Sequence, residues 1–183
     1  IIEISYDCQS GNYTNTDKNT DTKSVWENYS KKTYDFINNL NLDNFTLLEI
    51  GVGEGNFFYR VCNNLNNNFK AFGLDISLAR LLYCEKLCHT NIKDKDFNLL
   101  CANFLKIPLK DNSIDFIISC HALEPNHGNE EKILKELYRV SSKYIILQEP
   151  QDCFGDEQSK RMKELKYIDN LISICKKLNY EVI

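Results

Sequence analysis

Apolar residues along the chain fall into short unbroken runs separated by amphipathic stretches. The unbroken runs are FTLLEI (45–50), FKAFGLD (69–75), FNLLCA (97–102), IDFIISC (114–120) and KYIILQE (143–149). Helix-like stretches lie between most of them: NFFYRVCNNL, SLARLLYCEKLCHT, NEEKILKELYRV and finally DEQSKRMKELKYIDNLISICKKL. Val25, Trp26, Tyr29, Tyr34, Ile37 and Leu40 recur at helical spacing and predict a first helix over 25–40. Strands that are apolar throughout are buried on both faces, and strands alternating with helices imply a mostly parallel sheet covered on both sides. The predicted fold class is thus α/β, a doubly wound sheet. The prolines, Pro108, Pro125 and Pro150, fall just beyond predicted strands, where they end a segment without breaking a ladder.

Both ends depart from this pattern. IIEISY reads as an edge strand or an arm, and CQSGNYTNTDKNTDTKS (8–24) is polar and aperiodic, which reads as a mobile segment or a lid. Residues 1–24 are therefore expected to form a flexible arm or lid, and 25–183 a single domain with one core. YEVI at 180–183 is expected to begin a sixth strand.

Composition narrows the class. A charged content of 26% with a net charge of −4 describes an ordinary soluble globular protein. It lacks the clustered excess of Lys and Arg that phosphate backbones attract, so no nucleic-acid partner is expected. No apolar run approaches the ~20 residues that span a bilayer, and no signal peptide is evident, so no membrane partner is expected. The first residue is Ile rather than Met, which suggests a fragment or a trimmed chain. The eight cysteines form no Cys-x-x-Cys pair and read as buried free thiols in a reducing cytoplasm. Cys84, Cys88 and His89 come nearest to a metal cluster, but zinc wants four ligands, so no metal is expected.

The chemistry concentrates after the first run. In TLLEIGVGEGNF (46–57) the strand ends near an acid, Glu49, and glycines follow at 51, 53 and 55. Such a loop presents N–H groups with no Cβ in the way, and the helix from about Asn56 points its positive end at whatever lies there. A dinucleotide fingerprint would need glycine where Asn56 stands, and Glu49 repels pyrophosphate while attracting a cationic amino or sulfonium group. Asp75 ends the second run, 24 positions after Gly51, where a carboxylate accepts hydrogen bonds from ribose hydroxyls. A cationic amino-acid end, a nucleoside end and little phosphate describe S-adenosylmethionine.

LLEIGVGEGNF, GLDIS, CANFLKIPLKDNSIDFIISCHALEPNHG and LYRVSSKYIILQEP together resemble class I S-adenosylmethionine-dependent methyltransferases over roughly residues 25–183. The resemblance implies a Rossmann-like methyltransferase fold with S-adenosylmethionine as cofactor and S-adenosylhomocysteine as product. It assigns Glu49, Gly51, Gly53 and Gly55 to the methionine part, Asp75 to the ribose, and Ile76, Asn103 and Phe104 to the adenine. Asn103 stands where the family commonly has Asp. Ser119, at the end of the fourth run, joins the cofactor set. The family finishes with a sixth strand and an antiparallel seventh, so the C-terminal strands are expected to be incomplete here: either the protein continues or it is a minimal variant.

The loop SCHALEPNHGNE after the fourth run should form the substrate wall. Methyl transfer needs mainly alignment, and a hydroxyl acceptor also benefits from a base. His121 is the first candidate base, with Glu124, His127 and Glu149 behind it. Base-methylating enzymes carry an Asn/Asp-Pro-Pro-aromatic run where this chain has Ser119-Cys120-His121-Ala122. The expected acceptor is a small molecule, a hydroxyl of a sugar or related metabolite; the narrower similarity is to bacterial sugar and surface-polysaccharide methyltransferases. The alternatives are a regulatory protein without turnover, a protein or RNA methyltransferase, and a nicotinamide-dependent oxidoreductase. Sequence does not choose between monomer and homodimer.

Overall fold

A computed structural model describes residues 2–12, 20–92, 95–149, 160, 164, 165, 167 and 170–183. Its elements run α1 (Ile2–Cys8), α2 (Thr20–Asn39), β1 (Phe45–Ile50), α3 (Asn56–Asn64), β2 (Phe69–Asp75), α4 (Leu78–Asn91), β3 (Phe97–Cys101) and β4 (Ile114–Cys120). A 3₁₀ turn (Glu124–Asn126), α5 (Glu130–Val140), β5 (Ser141–Gln148) and α6 (Leu171–Lys177) follow. All strand pairs are parallel, in the order β3-β2-β1-β4-β5.

Successive side chains along a strand point to opposite faces, and each face has its own apolar cluster. Leu47, Phe116 and Ile118 pack with Ile37, Phe58, Val61 and Leu81 of α2, α3 and α4. Leu48, Ile50 and Ile117 pack with Ile133, Leu137 and Leu171 of α5 and α6. Burial on both faces is why the strands read as continuous apolar runs.

The IIEISY segment is helical rather than an edge strand, and α1 lies against α4. Tertiary contacts override its β-branched composition: Ser77 donates its hydroxyl to Asp7, and the Arg80 guanidinium lies over the Tyr6 ring at 5.2 Å. The α2 helix starts at Thr20, five residues before the apolar periodicity begins. YEVI forms no strand, and β5 is the last strand among the described residues. Most of the expected final helix lies outside the described residues, its end being α6. No helix among the described residues is long and apolar enough to cross a membrane.

Candidate active site

β1 and β4 are neighbours, but β1 leads through α3 to β2 on one side and β4 through α5 to β5 on the other. A crevice opens beyond the carboxyl ends at such a switch point. The loop after β1 carries Gly51, Gly53 and Gly55 at φ of +66°, +54° and +88°. Gly51 has a second reason to be bare, because a Cβ there would sit 2.2 Å from the Ala122 methyl in the loop after β4.

Asp75 ties this loop to the next. Its Oδ2 accepts from the Gly53 N–H at 2.8 Å and its Oδ1 from the Ser77 N–H at 2.9 Å. Each oxygen keeps a further lone pair, so acceptance from a ribose remains chemically open.

Glu49 is 2% exposed, and its Oε2 has no hydrogen-bond partner among the described residues. Burial, with the nearby Cys88 and Asp75 adding to it, pushes its carboxyl well above the usual carboxylate range. An orphaned buried carboxylate oxygen is costly, and a cationic donor arriving over Gly51 would offset that cost. The residues thus fit the amino end of S-adenosylmethionine.

Of the remaining expected cofactor residues, Ile76 is half-buried and its carbonyl lies 3.6 Å from Cys101 Sγ. Asn103 is exposed and its Oδ1 accepts from the Leu105 N–H at 2.8 Å. Phe104 packs against the α5 side of the core. Ser119 is fully buried and donates its hydroxyl to Glu149.

Across the crevice, His121 sits at φ +54°, unusual for a residue with a side chain. Its Nδ1 meets Glu124 Oε1, and its ring lies 5.3 Å from that of Tyr29 on α2. The hydrogen bond to Glu124 raises the His121 pKa above 6.5, against the opposing effect of burial. His121 therefore stays protonated to higher pH than a free histidine. Glu124→Gln removes the charge, so the His121 midpoint should fall. Histidine ring resonances followed through a pH titration check this; an unmoved midpoint would remove Glu124 from the pair. His127 pairs instead with Glu130 of α5, at 3.0 Å.

A groove of about 1360 Å³ runs from His121, Glu124 and Glu149 along the outer edge of β5, with Tyr29 and Gln148 at the same end. Periodicity had marked Tyr29 only as an apolar position of a helix. Gln148 fixes that helix here, donating to the Tyr29 carbonyl at 2.7 Å. Asp7, Tyr6 and Gly11 of the arm also reach the cofactor side, Gly11 N–H donating to Glu54 at 2.8 Å; no spacing signal pointed to them. Among the described residues no three His, Cys, Asp or Glu side chains gather as a metal site. Cys84 and Cys88, with sulfurs 3.8 Å apart, are buried beneath the glycine loop.

A parallel sheet with a glycine loop and two acids at its switch point defines an α/β protein built for a nucleoside-bearing ligand. Comparison makes this specific: the chain matches the methyltransferase domain family over residues 48–144, just over half its length, and belongs to that family. An uncharacterized protein of Methanocaldococcus jannaschii is 37% identical over 100 residues, covering 55% of this chain and 37% of that relative. The chain thus spans little more than a third of that relative's length. A SAM-dependent methyltransferase of Aquifex aeolicus superposes with a TM-score of 0.59 at 19% identity, over 82% of this chain and 86% of that one. A phosphoethanolamine N-methyltransferase of Haemonchus contortus, solved with S-adenosylhomocysteine, gives 0.59 at 15% identity over 74% and 33%. The fold is that of class I S-adenosylmethionine-dependent methyltransferases.

Proposed function

We propose that the chain binds S-adenosylmethionine at the β1–β4 crevice and transfers its methyl group to a hydroxyl of a small molecule, a sugar or related metabolite. The observation that carries the reading is the buried oxygen of Glu49, without a partner among the described residues, beside the positive-φ glycines. When bound, the cofactor supplies a methyl group already activated on a sulfonium. Glu49 and the bare backbone at Gly51 hold the amino-acid end, and Asp75 the ribose. Ile76, Asn103 and Phe104 border the adenine.

The chain's remaining task is to align the acceptor and manage its proton, because proximity and orientation supply most of the acceleration. With His121 Nδ1 committed to Glu124, Nε2 is the nitrogen that takes the acceptor's proton, and Glu124 steadies the resulting imidazolium. The groove along β5 receives the acceptor, with the Tyr29 ring beside the base.

The test is methyl transfer from isotope-labelled S-adenosylmethionine to a panel of sugar nucleotides, amines, RNA and protein. Transfer to a sugar hydroxyl is expected, and transfer only to RNA or protein would overturn the acceptor. His121→Ala should slow turnover by about 10²–10⁴-fold while leaving S-adenosylhomocysteine affinity within about twofold. Parallel loss of both would make His121 a cofactor residue.

A further inference from the structure

Glu149, the residue after β5, is half-buried and points back across the sheet end rather than along it. Its Oε1 accepts from the Ala122 N–H at 3.1 Å and from the Ser119 hydroxyl, and its Oε2 accepts from the Leu123 N–H at 3.1 Å. One carboxylate thus satisfies two successive backbone donors of the turn after β4 together with a side chain of β4 itself. That turn contains the left-handed His121, whose own N–H donates to the Gln148 carbonyl at 3.1 Å. It also contains Ala122, whose methyl occupies the place a side chain at Gly51 would need.

We propose that Glu149 is a positioning residue that locks the His121–Leu123 turn, holding His121 for the acceptor and Ala122 against Gly51 of the cofactor loop. This rests on the methyltransferase reading above for what the two sides bind, but the lock itself is a property of the chain. A left-handed residue with a side chain is strained, so the turn persists only where neighbours over-determine it. The carboxylate is the group placed to do so, because it meets a β4 hydroxyl and two successive N–H groups of the turn at once. A glutamine of the same length has one acceptor oxygen and would turn an NH₂ towards a backbone N–H, which removes at least one of the three bonds. Because Ala122 and Gly51 touch, loosening the turn also loosens the cofactor loop, although the hydrogen bonds of Glu149 go to Ser119, Ala122 and Leu123.

The groups facing this carboxylate are the donors Ser119, Ala122 N–H and Leu123 N–H, with Glu124, Cys120 and His121 nearby. Burial, with Glu124 adding to it, raises its pKa to about 7 against the lowering effect of the three donors. Removing one donor must therefore raise it further.

The experiment compares wild type, Glu149→Gln and Ser119→Ala by amide hydrogen exchange, by carboxyl-carbon titration of Glu149 and by S-adenosylhomocysteine binding. In Glu149→Gln the Ala122 and Leu123 amides should exchange about tenfold faster or more at pH 7.5, and S-adenosylhomocysteine affinity should fall roughly fivefold or more. In Ser119→Ala the Glu149 titration should move above its wild-type midpoint near 7. Amide exchange within about twofold of wild type in a folded Glu149→Gln overturns the lock. If that variant does not fold, an unmoved Glu149 midpoint in Ser119→Ala overturns it. Wild type that binds no S-adenosylhomocysteine overturns the methyltransferase reading instead, while the exchange and titration results still decide the role of Glu149.

Discussion

Glu49→Gln is expected to lose S-adenosylhomocysteine affinity by about 10–150-fold while making the free protein more stable at neutral pH. The loss corresponds to a charge-assisted hydrogen bond worth about 1.5–3 kcal/mol. The gain follows from the carboxyl's setting: it is buried, one oxygen has no partner among the described residues, and Asp75 and Cys88 add to the penalty on its charge. Below about pH 4.3 the folded and unfolded states both hold the proton, and the group contributes nothing. Above that the unfolded chain releases its proton first, so this group lowers wild-type stability by about 1.4 kcal/mol per pH unit until the folded carboxyl also ionises. Glutamine carries no such slope. Urea unfolding at several pH values, with a calorimetric titration at pH 7.5, checks both halves. A variant that is less stable at neutral pH would mean that Glu49 is an anchor of the fold. Retained affinity would remove it from the ligand.

Gly51→Ala should be the most damaging of the glycine-to-alanine changes among the described residues. Its φ of +66° costs a residue with a side chain about 1–2 kcal/mol. The new methyl would also lie 2.2 Å from that of Ala122, far inside the ~3.5–4.0 Å of a carbon contact. Together these predict about 2–5 kcal/mol of destabilisation and about a hundredfold or greater loss of S-adenosylhomocysteine binding. Adding Ala122→Gly removes the collision but not the dihedral penalty, so the double variant should recover part of the stability. A double-mutant cycle with no coupling between the two positions would contradict the contact.

The sheet was legible because it is buried on both faces. FTLLEI, FKAFGLD and IDFIISC mark β1, β2 and β4 to the residue, since most of their side chains enter one or the other apolar cluster. β5 begins earlier than its apolar run because Ser141 and Ser142 enter the ladder, Ser142 donating to the Ile114 carbonyl at 3.2 Å. Of the two readings of IIEISY, the edge strand fails: its β-branched residues fit a strand locally, while the helix is fixed by Asp7 and Tyr6 against α4, about seventy positions away. The start of α2 was missed because its first residues, TDTKS, are polar and leave no period to detect.

On the site, Glu49, the glycines and Asp75 stood out because their chemistry is local to strand ends. The pairing of Ser119 with Glu149 and the seat of Ala122 on Gly51 join residues separated by 30 and 71 positions, with no signature in spacing. The bonds from Asp75 to Gly53 and Ser77 were equally hidden, because a carboxylate awaiting a ligand and one holding its own loop look alike in sequence.

The most direct measurement of the central claim is calorimetric titration of the chain with S-adenosylhomocysteine, with NAD as the control ligand. Micromolar or tighter binding of the first, with no heat from the second, is the predicted result. Binding of NAD in preference, or of neither ligand, would contradict the assignment of the Glu49–Gly51–Asp75 crevice to S-adenosylmethionine.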